Sequence, residues 1–111
     1  GQGNLITNVC MRNSGQVENL PMGSIVHTNA LISRNSVRPV AAGKLTDELY
    51  GLTIRHVMNQ KTVVRSVTEK DLDIAFNAFL NDPLMSVDLN DATELYKEML
   101  SAVRAHLIYY C

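Results

Sequence analysis

The segment Leu5–Met11 reads Leu-Ile-Thr-Asn-Val-Cys-Met, and the polar run Arg-Asn-Ser-Gly follows it directly. Apolar and β-branched residues at this density, closed by turn-forming residues, indicate a β-strand that ends in a loop. A second run of the same character, Ser24–Ile32, closes on the turn-forming cluster Arg34–Ser36. The stretch after that cluster contains Pro39, which has no backbone N–H to donate. We therefore place it at the edge of a sheet or in an extended arm.

From about residue 46 onward, apolar residues recur at helical spacing. The run Thr68-Glu69-Lys70-Asp71 has the form of a capping box, with Asp71 in place of the usual glutamate, and predicts the start of a second helix that Pro83 stops. Asp88 or Asn90 can cap a third helix. The sequence thus predicts a single α+β domain over residues 1–111, with a small mixed sheet and about three helices. The strands are expected at about 4–42, and the helices at about 46–66, 69–81 and 90–109.

Composition narrows the class of protein. Hydrophobic residues make up 46% of the chain, which is ordinary for a soluble domain and too high for disorder. A net charge of -1 gives no electrostatic reason to expect nucleic acid or an acidic membrane as partner, and no apolar run approaches the ~18 residues that cross a bilayer. Because Cys10 and Cys111 lack CxxC or CxxH spacing, we expect reduced thiols in a cytoplasmic protein, with a disulfide between the termini as the alternative. The absence of an initiator methionine predicts a fragment or a processed product.

No local pattern identifies catalytic, metal-binding or cofactor-binding residues. His27, His56 and His106 form no pair at helical spacing, so we expect structural or surface histidines, and a ligand or general base is the alternative for each. The clustered carboxylates fall mostly in first turns of predicted helices, where the helix dipole favours negative charge. The motifs GxGxxG, GxxxxGK[ST] and GxSxG are absent.

One polar segment differs from its surroundings. Asn8–Asn13, together with Gly15, is expected to follow the first strand, and it combines amide, guanidinium and hydroxyl groups. Sugar hydroxyls call for such hydrogen-bonding groups, and binding residues often lie on loops. The segment is therefore a candidate binding loop, and a plain turn is the alternative.

Three blocks of sequence have a familiar form. Asn13–Pro21 matches the pattern N-x-G-x-I-x-N-L-P, with valine at the isoleucine position. Arg34–Leu45 is similar to R-N-G-I-x-P-x-x-x-G-x-L, and Ala78–Ser86 is similar to A-L-L-x-D-P-L-T-S. In order and approximate spacing, these blocks resemble the C-terminal half of the family 4 glycosidases over about residues 8–105.

The resemblance implies an enzyme similar in fold to lactate and malate dehydrogenases, with a Rossmann half that precedes this chain. Such enzymes cleave glycosides by a redox route that uses NAD and a divalent metal, for which manganese is expected. The resemblance places the cofactor, metal and catalytic residues upstream, so none is assigned here. It places Asn13 and Gly15, and less directly Asn8, on the substrate side of the cleft. The resemblance implies two partners, the missing Rossmann half of the same enzyme and an α-glycoside substrate. It also implies that the enzyme is a homo-oligomer.

The chain departs from the family pattern at several positions. His27 stands where glutamate is usual, Ser36 replaces the turn glycine, and the first helix carries Lys61 and Arg65 where acidic residues are common. These changes indicate a divergent member or an altered substrate, closer to α-galactosidases and α-galacturonidases than to 6-phospho-glycosidases. The alternatives are the C-terminal domain of a 2-hydroxy-acid dehydrogenase, whose glycine-rich histidine setting is missing here, and a non-enzymatic interaction module.

Overall fold

The computed structural model describes residues 3–108. The predicted end of the third helix at residue 109 and the cysteine at position 111 lie outside the described residues. The chain forms two compact units, and the boundary between them falls between Ile54 and Arg55. In chain order the elements are β1 (Leu5–Arg12), β2 (Ile25–Ser33), β3 (Ser36–Pro39), α1 (Asp47–Glu69), α2 (Leu72–Leu80), α3 (Leu89–Val103) and a 3-10 turn (Arg104–His106).

The three strands form one antiparallel sheet in the order β1-β2-β3. In the register, Val9 lies opposite Thr28 and Asn8 lies opposite Asn29. Because successive side chains of a strand point to opposite faces, these two pairs lie on different faces of the sheet. The face that carries Thr28 also carries the buried Ala30, while Asn8 and Asn29 are exposed. The sheet therefore has one face turned to the core of its unit and one turned outward.

The observed order of a small sheet followed by three helices confirms the α+β prediction. Pro39 ends β3 at an edge of the sheet, where its missing N–H leaves no ladder bond unmade. A two-residue turn joins β2 to β3, and such a short link permits only antiparallel pairing. Among the described residues, the parallel pairing expected of a mixed sheet is limited to an isolated bridge between Val17 and Gly43.

Helix α1 is longer than predicted, since it continues to Glu69. The helix begins with two acidic residues, Asp47 and Glu48. The carboxylate of Glu48 accepts hydrogen bonds from the backbone N–H of Glu48 itself and from the Thr46 hydroxyl, and these bonds lower the pKa of Glu48. The helix ends at Glu69 because the next residue, Lys70, has a left-handed φ of 55° that is incompatible with a further helical turn. No helix within residues 3–108 combines the length and the hydrophobicity that a membrane span requires.

The capping-box interpretation of the second helix is wrong by three residues. Thr68 lies inside α1, where its hydroxyl donates to the Val64 carbonyl oxygen at 2.6 Å. The N-cap of α2 is Asp71, whose Oδ1 accepts from the backbone N–H of Asp73 at 2.8 Å and of Ile74 at 3.4 Å. A carboxylate at this position satisfies the free N–H groups of the first turn, so it needs no upstream threonine.

Helix α3 begins at the first of its two predicted caps. The Oδ1 atom of Asp88 accepts from the backbone N–H of Asp91 at 2.9 Å. The helix packs on α2 through Tyr96, whose ring lies 4.9 Å from Phe76 and 5.3 Å from Phe79 between centroids. The Tyr96 hydroxyl also donates to the carbonyl oxygen of Leu72 at 3.0 Å. This aromatic cluster forms the core between the two helices.

The unpaired hydroxyl of Thr28 predicts that a substitution at this position stabilises the protein. The Thr28 hydroxyl oxygen is buried and has no hydrogen-bond partner among the described residues, so folding removes it from water without compensation. Thr28→Val keeps the shape and removes the unpaired group, and we expect the free energy of unfolding to rise by about 1 kcal/mol in urea denaturation. Thr7→Val, at an exposed position on the same face, serves as the matched control and should change stability little. A destabilised Thr28→Val variant would contradict the prediction.

Candidate functional site

The side chain of Asn13 organises the loop that follows β1. Asn13 is only 2% exposed, and its Nδ2 donates to the carbonyl oxygens of Val17 at 2.9 Å, Leu20 at 3.0 Å and Pro21 at 3.3 Å. Its Oδ1 accepts from the backbone N–H of Gly15 at 3.2 Å and of Val17 at 3.1 Å. An amide has two N–H donors and one oxygen acceptor. Both ends of this amide are therefore engaged within the loop.

The geometry explains why asparagine occupies this position. The amide must donate in one direction and accept in the other at the same time, which a carboxylate cannot do because it only accepts. The backbone of Asn13 closes the base of the loop, since its N–H donates to Ser24 at 2.6 Å and its carbonyl oxygen accepts from Gly23 at 2.8 Å. Asn13 thus bonds both the interior and the base of the loop over residues 13–24.

Gln16 holds the tip of the same loop. It is 4% exposed, and its Oε1 accepts from the backbone N–H of Ser14 at 2.7 Å, while its Nε2 donates to the carbonyl oxygen of Arg12 at 2.9 Å. Between these anchors Gly15 adopts a φ of 114°, which L-residues with a side chain rarely tolerate. Ser14 and Gly15 form an exposed tip on a base fixed by two buried amides.

A second set of bonds joins this loop to the segment after β3. The side chain of Asn19 pairs with the backbone of Leu45, giving and receiving one hydrogen bond of 2.9 Å each. Two backbone hydrogen bonds add to this pairing. The Glu18 N–H donates to the Gly43 carbonyl oxygen at 3.0 Å, and the Ala42 N–H donates to the Gln16 carbonyl oxygen at 2.7 Å. The sequence blocks Asn13–Pro21 and Arg34–Leu45 therefore build one hydrogen-bonded unit. Gln16 and Asn19 were not predicted as site residues, although both fall within the block Asn13–Pro21.

The predicted substrate residues do not all lie in one place. Asn13 and Gly15 belong to the same loop, whereas Asn8 is exposed in the middle of β1 opposite Asn29. Five residues of extended chain separate Asn8 from Asn13, a distance of about 16 Å. Substrate contact by these residues stays a prediction. For Asn13 the geometry favours an indirect role, in which the amide sets the shape of the Ser14–Gly15 tip.

The histidines of the described residues are dispersed. His27 is exposed on the sheet, directly opposite Cys10. His56 lies on α1 and lines a groove of about 420 Å³ together with Asn59, Gln60 and Asp82, among others. Within residues 3–108, no three His, Cys, Asp or Glu side chains converge as a metal site requires. This part of the chain offers a shaped polar loop and no assembled metal centre.

The hydrogen bonds of Asn13 predict a large effect of its removal. Asn13→Ala removes the hydrogen-bond partner of the buried Val17 N–H and of the Leu20 carbonyl oxygen, and we expect the free energy of unfolding to fall by about 3 kcal/mol. Asn8→Ala is the matched control, because that asparagine is exposed and should cost less than about 0.5 kcal/mol. Urea denaturation of the two variants measures the difference. Equal, small losses would show that the Asn13 network does not hold the loop.

Comparison with known proteins places these features in a family. The model for the family 4 glycosyl hydrolase C-terminal domain matches residues 1–85. An alpha-galacturonidase of Thermoanaerobacterium saccharolyticum is 48% identical over 107 residues, which cover 96% of this chain and 23% of that protein. An alpha-galacturonidase of Bacillus subtilis is 48% identical over 103 residues, covering 93% of this chain and 23% of that protein.

The structural comparison agrees with the sequence comparison. A 6-phospho-beta glucosidase from Thermotoga maritima, solved with manganese, NAD+ and glucose-6-phosphate, matches with a TM-score of 0.82 and 25% identity. The match covers 92% of this chain and 26% of that one. The chain thus spans about a quarter of the length of these relatives. From the family match, the identities and the shared fold, the chain belongs to the C-terminal domain family of the family 4 glycosyl hydrolases.

Proposed function

We propose that this chain is the C-terminal part of a glycosidase that hydrolyses α-galacturonides with NAD and a divalent metal ion, manganese in the first instance. The observation that supports the proposal is the 48% identity to an alpha-galacturonidase across 96% of the chain. The 6-phospho-beta glucosidase from Thermotoga maritima has the same fold but only 25% identity. The balance of identities favours a uronide over a 6-phosphorylated sugar as substrate.

Within residues 3–108 we find no support for a cofactor or metal site in this chain. The chain has no GxGxxG fingerprint after a strand, and no three metal-ligating side chains converge within residues 3–108. The proposal assigns both sites to the roughly three quarters of the enzyme that lies outside this chain, including its Rossmann half.

The contribution proposed for this chain is the shape of the substrate cleft. The buried amides of Asn13 and Gln16 fix the exposed tip formed by Ser14 and Gly15, and a rigid loop of this kind is suited to orient a sugar. Asn8 is proposed as a separate contact on the outward face of the sheet. In this scheme Asn13 is a positioning residue, since its own polar atoms are engaged within the loop.

The enzyme is further proposed to be a cytoplasmic homo-oligomer. The cytoplasmic location is proposed because the two cysteines of the sequence do not form a disulfide framework. Family membership removes the alternative of a 2-hydroxy-acid dehydrogenase domain. A non-enzymatic interaction module is the remaining alternative, and an activity assay separates it from the proposal.

The proposed activity can be tested with the full-length polypeptide that carries this chain. With NAD and Mn²⁺ present, we expect hydrolysis of a chromogenic α-galacturonide, and loss of hydrolysis when either is withheld. A 6-phospho-glucoside should be a poorer substrate by on the order of a hundredfold in kcat/KM, because a site built for one polar group leaves its partners unpaired with another. Preference for the phosphorylated sugar would refute the uronide, and inactivity on every glycoside would favour the interaction module.

The isolated chain provides a second test. Because its sequence lacks the GxGxxG fingerprint of a dinucleotide site, we expect no NAD binding by calorimetry at millimolar cofactor and no hydrolysis of the α-galacturonide. The full-length polypeptide in the same buffer is the positive control. Saturable NAD binding to the chain alone would show that the cofactor site has been assigned to the wrong part of the enzyme.

A further inference from the structure

An apolar groove of about 410 Å³ lies where α2 gives way to α3. Leu84, in the connecting loop, is 85% exposed, and Leu95 on α3 is 42% exposed. Met99 follows Leu95 by one helical turn and is 50% exposed. The groove is lined by Phe79, Asp82, Leu84, Met85, Ser86, Val87 and Leu95. Contiguous exposed apolar residues of this kind mark an interaction surface more often than a free one.

This surface is separate from the core between α2 and α3. The inner side of α3 is occupied by Tyr96, which packs on two phenylalanines of α2, and by the buried Ala92. Leu95 and Met99 repeat at four-residue spacing beside these positions, so they form a second apolar stripe on the same helix. Packing within this unit already uses the first stripe, and the second is open to a partner.

The charges along the chain segment that contains the groove are strongly one-sided. Between residues 71 and 103 there are seven carboxylates and one lysine, Lys97. Asp91 lies four residues before Leu95 and Glu98 lies three residues after it. Both side chains therefore border the apolar stripe along α3. Both are exposed. The carboxylates are Asp71, Asp73, Asp82, Asp88, Asp91, Glu94 and Glu98.

The acidic border selects between possible partners. A second copy of this chain, docked through a two-fold axis, would present the same patch and set carboxylates against carboxylates. Like charges opposed across an interface cost several kcal/mol and suppress such pairing. The chain covers only about a quarter of the length of its relatives, so a large part of such a polypeptide lies outside it. A domain of the same polypeptide can supply a surface of complementary charge.

We propose that the groove and the Leu95–Met99 stripe dock against the part of the same polypeptide that precedes this chain. The complementary surface is apolar at its centre and bordered by lysine or arginine side chains that face Asp91 and Glu98. This inference rests on the proposed function, because it requires the chain to be part of the longer enzyme.

Hydrogen–deuterium exchange of the full-length polypeptide tests the docking surface. Glu98→Lys places a cation against the basic border, and amides in residues 79–103 should then exchange about tenfold faster, by an amount that shrinks as salt is raised. Leu95→Ser should also accelerate exchange there, without the salt dependence. Lys97→Glu is the matched control, since it changes charge on another side of α3. Circular dichroism of the variants checks that the helices persist.

Two results would overturn the proposal. Amides in residues 79–103 could exchange equally fast in the full-length polypeptide and in this chain alone, which would mean that nothing covers the groove. Alternatively, protection could appear in the chain alone as its concentration rises, which would assign the surface to a second copy. Exchange is measured without substrate, so a polypeptide that lacks glycosidase activity but shows protection would refute the proposed function and leave the docking surface standing.

Discussion

The amide of Asn13 is the interaction on which the sheet-containing unit depends. It bonds to Val17 and Leu20, which are two of the few buried apolar residues of the chain. By fixing the backbone of these two residues, the side chain of Asn13 positions their apolar side chains in the core. Val17 then bridges to Gly43, which brings the segment after β3 against the loop. A buried amide with every polar atom engaged specifies a single loop conformation, whereas apolar burial alone is less directional.

The helical unit depends on a different kind of interaction. Helix α2 has nine residues, and an isolated helix of that length is marginal in water. Its stability comes from the side-chain cap at Asp71 and from the Tyr96 ring and hydroxyl, which contact its aromatic residues and its first turn. The polar network and the aromatic cluster each bring together residues that lie far apart in the chain.

The sequence predicted the strands, the helices and the edge position of Pro39 because those depend on local periodicity and backbone chemistry. It did not reveal the roles of Asn13 and Asn19. Their partners are set by the tertiary fold, and Leu45 lies 26 residues from Asn19. Nothing in a local pattern tells whether an amide in a loop points outward to a ligand or inward to the backbone. The cap of α2 was misplaced for a related reason, since Thr68 and Asp71 are both good capping residues and only the left-handed Lys70 decides between them.

The crowding of carboxylates between residues 71 and 103 has a consequence for the whole chain. Residues 55–70 carry four basic side chains and one acidic side chain, so charges of opposite sign occupy successive segments of one unit. The isoelectric point near 6.3 is thus an average over regions that are individually far from neutral. At physiological ionic strength a charge is felt over only about 8 Å. An approaching molecule therefore responds to the local potential of the segment it meets. The nearly neutral net charge of the chain describes neither the basic segment nor the acidic one.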